Sequence, residues 1–178
     1  MILTISNLTV SRTIALPFFA LALAGVGVAT ITSGRAAAQG VIMQRSLSLA
    51  MAKTIAEASL AECKSKGFNT SVAVVDRAGQ VLVLMRDEGA TAQTAEMSRR
   101  KAYTALMFRT TTNEFQKRTA DPKYAAQRDV ADILALGGGA PIQIGMETIG
   151  GVGSSGSNQE MDETCAKAGI AKVADLLK

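Results

Sequence analysis

The residues best suited to chemistry lie in two places, and the first is one face of a central helical stretch. Met97, Lys101, Thr104 and Phe108 follow one another at intervals of four, three and four residues, so they share one side of a helix. A lysine and a threonine on such a face can line a cleft, where Lys101 would hold an acidic group of a ligand. Alternatively, Lys101 extends its ammonium to water while its stem covers apolar surface.

The second place is a glycine- and serine-rich stretch near the C-terminus, from Gly151 to Gly156. Its spacing matches a dinucleotide-binding loop, but the residues after it predict a helix and no further parallel strand. We interpret it as a tight turn before that helix, where backbone amides and serine hydroxyls attract a carboxylate or a phosphate. A turn that only caps its helix would have the same sequence. With the glycines upstream, the candidate ligand contacts here are Gly138, Gly139, Ser154, Ser155 and Gly156.

Three acidic residues, Glu160, Asp162 and Glu163, stand at the start of the last predicted helix. The helix dipole favours negative side chains at that end, which is sufficient to explain them. A hard cation would need oxygen ligands that converge from several segments, and the sequence shows no such set. Because the chain has no histidine, histidine-based triads and histidine–zinc sites are excluded.

The N-terminal residues predict export. Arg12 precedes an apolar run from Thr13 to Ala29, and small residues before Gln39 offer a cleavage site, so we predict a signal peptide over residues 1–38. The run is nearly long enough for an uncleaved membrane anchor, but its proline and its alanine and glycine content favour cleavage. We therefore expect a periplasmic or secreted protein, with a single domain over residues 39–178 and no stable membrane insertion.

The charge of the predicted mature chain argues against a nucleic-acid partner. The whole chain has 19 basic and 15 acidic side chains, and two of the basic ones lie within residues 1–38. The remainder is therefore only slightly basic, and it has no dense run of lysine and arginine and no tryptophan. Cys63 and Cys165 are the only cysteines. An oxidising compartment permits a bridge between them, and two buried thiols are the alternative.

Hydrophobic spacing and turn residues predict an α+β domain. Two hairpins would form an antiparallel sheet, with N- and C-terminal helices and a central helical segment packed on it. A short helix is also allowed over residues 124–136. The predicted helices and strands are, in order, helix 44–66, strands 72–75 and 81–85, helix 92–108, a small helix after Thr111, strands 141–144 and 148–152, and helix 158–177 capped by Ser157.

Several blocks of the sequence together resemble the GlcG/HbpS family. In order, they are Thr70–Gly79, Ser98–Ala105, Gly137–Pro141, Ile149–Gly153 and Asp162–Ile170. The resemblance covers nearly all of the predicted mature chain. It implies a small α+β domain that assembles into homo-oligomers, from dimers to octamers. Exported members bind haem, and in that branch a threonine is an iron contact, which would be Thr104 or one of Thr110–Thr112 here.

The leading hypothesis from these observations is an exported, homo-oligomeric binding protein for haem or a related tetrapyrrole. Arg100 or Lys101 would pair with the propionates, and Thr104 or a methionine would approach the iron. The alternatives are an enzyme or accessory protein acting on a small carboxylate, with Asp162 or Glu163 as base, and an assembly protein without a ligand. A small acidic ligand is common to the first two, and we expect a binding protein rather than an enzyme.

Overall fold

The computed structural model of the protein describes residues 40–178, so the predicted signal peptide lies outside the described residues. Residues 42–178 form one compact unit. The elements, in chain order, are α1 (Leu49–Ser65), β1 (Ser71–Asp76), β2 (Val81–Arg86), α2 (Gln93–Phe108), α3 (Thr112–Arg118), a 3₁₀ segment (Pro122–Asp129), β3 (Gly139–Ile144), β4 (Glu147–Ser155), α4 (Gln159–Lys172) and a last 3₁₀ turn (Ala174–Leu176). No helix within this described part is long and apolar enough to cross a bilayer.

The four strands form one antiparallel sheet in the order β2-β1-β4-β3. Each hairpin supplies one central and one edge strand, and the two hairpins join where β1 pairs with β4 along its whole length. The β-branched run of β1 suits this central position because a central strand is covered on both faces. The predicted α+β class and the two hairpins are confirmed.

The sheet has a helical layer on each face. Alternate residues of β1, Val72 and Val74, face α1 and α4 and belong to the larger apolar cluster. Their neighbours Ala73 and Val75 face α2, where they form a smaller cluster. The α2 helix packs across all four strands, and its N-terminal half lies beside the start of α4.

A disulfide between Cys63 and Cys165 joins α1 to α4, with the two Cα atoms 5.5 Å apart. Of the two alternatives that the sequence allowed, the structure therefore contains the bridge. Both cysteines are fully buried beneath the sheet, and the sulfur of Cys63 lies 3.7 Å from the hydroxyl oxygen of Ser154. The bridge closes a loop of about 100 residues, so it restricts the unfolded chain strongly.

The predicted start of the first helix was wrong, and the short helix that the sequence allowed over residues 124–136 is present only in part, as a 3₁₀ segment. The first helix begins at Leu49 rather than near residue 44, because the Ser48 hydroxyl accepts a hydrogen bond from the Met51 amide and caps it there. Residues 124–136 form no α-helix: the chain makes a 3₁₀ segment to Asp129 and then an irregular stretch. Side chains of α2 bond to the backbone of that stretch, which replaces the hydrogen bonds of a helix.

The interpretation of residues 151–156 as a tight turn was also wrong. Residues 151–155 continue β4 and pair with β1, and residues 151–153 pair with β3 as well. Their backbone groups belong to the sheet and are not free for a ligand. The last helix is capped by Asn158, not by Ser157, because the Asn158 side-chain oxygen accepts from the Met161 amide. That helix ends at Lys172, and a 3₁₀ turn follows it.

Candidate functional site

The site begins with the close approach of α2 to β4. A Cβ added at Gly153 would lie 2.2 Å from the Ser98 carbonyl oxygen, and one added at Gly151 would lie 2.3 Å from the Ala102 carbonyl oxygen. The helix backbone therefore rests directly on glycines of the strand. Ser98 and Ala102 are themselves fully buried at this contact.

Lys101 is carried into the interior by this contact, and only 1% of it is exposed. Its ammonium nitrogen donates to Asp162 Oδ2 at 2.8 Å and to the Ser154 carbonyl oxygen at 3.0 Å. Asp162 is equally buried. The alternative in which the ammonium extends to water was therefore wrong, because the lysine has an acidic partner inside the protein.

Asp162 is held on its other side by the loop between β4 and α4. Its Oδ1 accepts from the Ser157 amide at 3.0 Å and from the Ser157 hydroxyl at 2.6 Å. Burial lowers the pKa of Lys101 below its ordinary 10.5, although the charge of Asp162 and its hydrogen bond act in the opposite direction. The lysine is thus more readily deprotonated than a surface lysine.

A cavity of about 470 Å³ adjoins this ion pair, between the first half of α2 and the start of α4. Its volume lies within the range of about 300–1,000 Å³ that is typical of small-molecule sites. The apolar part of its wall consists of Met97 and Leu136. Glu160 supplies a further charge, together with Lys101 and Asp162. Within residues 40–178, no group of three or more potential metal ligands occurs, so the described part offers no protein-built metal centre.

Ser155 is a further polar residue of this wall. It is 2% exposed and lines the cavity. Its neighbour Ser154 points to the opposite face of the sheet, because side chains alternate along a strand, and only its carbonyl oxygen reaches Lys101. Of the two predicted serines, Ser155 is therefore the one that could contact a ligand through its side chain.

The predicted glycine contacts occupy different positions around the site. Gly156 lines the cavity at the end of β4. Gly138 has a φ of +124°, and a Cβ there would lie 2.8 Å from the Lys101 ammonium nitrogen. Gly139 donates its amide to the Thr112 hydroxyl at 2.7 Å, and a Cβ there would meet the Lys101 carbonyl oxygen at 2.4 Å. The last two therefore make room for the buried lysine and do not themselves line the cavity.

Arg100 and Thr104 lie on α2 but support the neighbouring irregular stretch. The Arg100 guanidinium donates to the Ile133 carbonyl oxygen at 2.5 Å. The Thr104 hydroxyl donates to the Arg100 carbonyl oxygen at 2.8 Å and accepts from the Leu134 amide at 2.9 Å. Thr104 is fully buried and does not line the cavity. Its assignment as an iron contact stays a prediction.

The sequence reasoning missed the partnership of Lys101 with Asp162, since it explained Asp162 by the helix dipole alone. One signal could have suggested it: Lys101 stands directly beside small residues on the helix surface, Ser98, Ala102 and Ala105, which allow close packing. A lysine on a closely packed face needs an anion beside it, because an unpaired buried charge is strongly unfavourable. The sequence did not indicate which acid that would be.

Comparison with known proteins identifies the family. The sequence model described as "Haem degrading protein HbpS-like" matches residues 47–171. The chain belongs to the HbpS-like family. A crystal structure of HbpS has 34% sequence identity to it and a TM-score of 0.72, and the match covers 74% of this chain and 93% of that one. The resemblance stated from the sequence is thereby confirmed.

Two further similar proteins extend this comparison. A 15.0 kDa protein encoded in the dhaT-dhaS intergenic region of Citrobacter freundii is 32% identical over 135 residues, which is 73% of this chain and 94% of that protein. A crystal structure of a PduOC:haem complex has 25% identity to this chain and a TM-score of 0.64, and the match covers 71% of this chain and 94% of that one. The domain with the cavity is therefore the part that these relatives share.

Proposed function

We propose that this HbpS-like protein binds haem or a related tetrapyrrole in the cavity beside α2 and α4. The observation that carries the proposal is the match to HbpS, which extends over nearly the whole of that protein. The family description concerns haem, and the PduOC relative was crystallised with haem. The cavity lies among residues 93–162, inside the range that the family model matches.

The cavity residues offer such a ligand one iron-binding group and some apolar surface. Met97 is half-buried in the wall, and a methionine thioether is an iron ligand in cytochromes c, where a histidine is the second ligand; this chain has no histidine, so Met97 would act without one. Leu136 adds apolar surface for the macrocycle. The haem would supply the iron and its redox chemistry. Thr104 remains the alternative iron contact, and its hydroxyl would first have to leave Arg100 and Leu134.

The propionates would be held by hydrogen-bond donors rather than by a free positive charge. Lys101 lines the cavity, but Asp162 already neutralises its ammonium, and Glu160 adds a negative charge. Ser155 also lines the cavity, and its hydroxyl can donate a hydrogen bond. The first-turn amides of α4 lie at the same place, at the positive end of the helix dipole. The role of Lys101 would then be to hold Asp162 and the Ser154 carbonyl group in place in this wall.

Hemin titration of the mature protein tests the proposal through the Soret band. Met97→Ala should weaken binding and shift the band, because it removes the thioether from the cavity. Met146→Ala is the matched control, since Met146 is 96% exposed at the tip of the β3–β4 hairpin. Thr104→Val distinguishes the two candidate iron contacts, because it removes the Thr104 hydroxyl and leaves the Met97 thioether in place. If the wild-type Soret band and melting temperature do not respond to hemin, the proposed function fails. Equal binding by the two methionine variants would remove Met97 from the site.

We also propose that the protein is exported and homo-oligomeric. The disulfide supports export, because such bridges persist in oxidising compartments. Apolar side chains on the outer strand β2 support association: Val81 is 42% exposed and Leu84 is 48% exposed. N-terminal sequencing of the natively exported protein tests the cleavage before Gln39. Light scattering on that material measures the oligomer, and a monomer at micromolar concentration would contradict the second part.

A further inference from the structure

We propose that Lys101 is a reactive amine, which forms an imine with a small, uncharged carbonyl compound bound in the cavity. The inference stands independently of haem binding. Lys101 is a buried nucleophile, and haem binding gives its amine no chemical role. Lys101 lines the cavity wall while its stem is packed against β4.

The hydrogen bonds of Lys101 leave one position on its nitrogen unused. An ammonium has three N–H donors. Two of them go to Asp162 Oδ2 and to the Ser154 carbonyl oxygen, and residues 40–178 offer no third acceptor. The third position is therefore available for a bond to a ligand in the adjoining cavity. Burial also lowers the pKa of this lysine, which increases the fraction of neutral, nucleophilic amine.

Asp162 can carry the protons that imine formation requires. The ammonium first gives a proton to the Asp162 carboxylate, 2.8 Å away, and the neutral amine attacks the carbonyl carbon. A C–N bond forms as the C–O π bond opens, and a proton moves from nitrogen to oxygen to give a carbinolamine. Its hydroxyl then leaves as water with the proton from Asp162, and the nitrogen lone pair forms the C=N bond. Asp162 is again a carboxylate, and no oxidant or reductant takes part.

The product keeps the charge balance of the buried pair. The ammonium of Lys101 becomes a protonated imine. Since this is also a cation, a positive charge stays beside the Asp162 carboxylate. The single remaining N–H can donate to Asp162, and the bond to the Ser154 carbonyl oxygen is given up. A neutral adduct such as an amide would instead leave the buried carboxylate unpaired, which is strongly unfavourable. The electrostatics therefore favour the protonated imine over other adducts.

For a small ligand, which lacks the iron and the large apolar surface of haem, the charges around the cavity favour an uncharged compound. Two carboxylates, Glu160 and Asp162, stand against the one ammonium of Lys101. An anionic oxo acid would add a further negative charge to this set. Hydroxyl groups of a ligand, by contrast, can find hydrogen-bond partners in Gln93 and Ser155, which also line the cavity. Small hydroxyaldehydes and hydroxyketones are thus the class of carbonyl compound that the site fits.

Reductive trapping with glycolaldehyde and sodium cyanoborohydride tests this, with peptide mapping by mass spectrometry. The chain has nine lysines. If Lys101 were merely structural, its 1% exposure would make it the least modified of them. We expect it to be the most modified of the nine at neutral pH, because it faces the cavity and because burial lowers its pKa and so raises the neutral fraction of its amine. Lys64 is an internal control, because it also pairs with a carboxylate, Asp87 at 2.8 Å, but is 55% exposed.

A variant and a second condition complete the experiment. Lys101→Arg keeps a cation beside Asp162 but cannot form the imine. The first adduct that the wild-type protein forms when glycolaldehyde is limiting should therefore be absent from the intact-protein mass spectrum of this variant. Cyanoborohydride without glycolaldehyde should leave the mass of the wild-type protein unchanged. The proposal is overturned if Lys101 is modified less than Lys64, or if the Lys101→Arg protein keeps the same first adduct.

Discussion

Replacing Lys101 by methionine should destabilise the protein by about 3–5 kcal/mol, the usual range when one partner of a buried ion pair is removed. Methionine has nearly the length of the lysine stem and should fill its space. The loss therefore comes from Asp162, which stays 2% exposed and keeps only the two bonds from Ser157. The Ser154 carbonyl oxygen also loses its bond from the lysine.

Urea unfolding followed by circular dichroism measures this loss. With a slope near 2 kcal/mol per molar urea, a loss of about 4 kcal/mol lowers the unfolding midpoint by about 2 M. Lys64→Met is the matched control. Lys64 forms a pair of the same length with Asp87, but its side chain is 55% exposed, so its removal should change the stability by less than about 1 kcal/mol.

The double variant Lys101→Met, Asp162→Asn decides between a charge effect and a packing effect. Asparagine keeps an oxygen for Ser157 and removes the buried charge, so the double variant should regain more than half of the loss of the single variant. Residues in contact are expected to show such coupling. Two results would refute the reasoning: a Lys101→Met loss no larger than that of Lys64→Met, or a double variant whose loss equals the sum of the two single ones.

Three further predictions concern the surroundings of the site. Alanine at both positions of the α1–α4 disulfide should lower the free energy of unfolding by about 4 kcal/mol, given a separation of 102 residues, and should abolish the response of the urea midpoint to reductant. Gly153→Ala should lower it by about 3 kcal/mol through overpacking against the Ser98 carbonyl oxygen, whereas Gly145→Ala, at a φ of +57° with open space around it, should lower it by only about 1–2 kcal/mol. The hydrogen bond from Arg77 lowers the pKa of Glu147 below its ordinary 4.5. The stabilisation that Glu147→Gln removes should therefore be complete above pH 4.5 and disappear as the pH falls through the lowered pKa. Melting curves of the wild-type and Glu147→Gln proteins, measured in pairs across that range, would show or contradict this.

The local elements could be predicted from the sequence because their signals are local. The β-branched runs of β1 and β2 flank a turn with Gly79, and the Thr111 hydroxyl caps α3 at the Glu114 amide as predicted. The length of β4 could not be predicted in this way. Residues 151–155 are glycine, valine and serine, which are mostly poor strand formers, and they are extended because strands on both sides bind their backbone.

The centre of the site could not be predicted because it depends on distant residues. Lys101 and Asp162 are 61 positions apart, and neither local sequence identifies the other. The same holds for Thr104, which shares a helix face with Lys101 but bonds to the backbone at Leu134. A shared face predicted one common cleft for both side chains, whereas the irregular stretch after the 3₁₀ segment covers Thr104 and leaves Lys101 at the cavity.

The glycines of β4 and the buried ion pair have a common physical origin. Because Gly153 lets the α2 backbone rest on the strand, Lys101 cannot turn its stem to the surface, and an acid from α4 has to accompany it. That pair then ties α2, β4 and α4 together at one point. The disulfide holds α4 to α1 at Cys165, three residues beyond Asp162. The amine is thus fixed on rigid elements, as a group that reacts with a bound ligand must be.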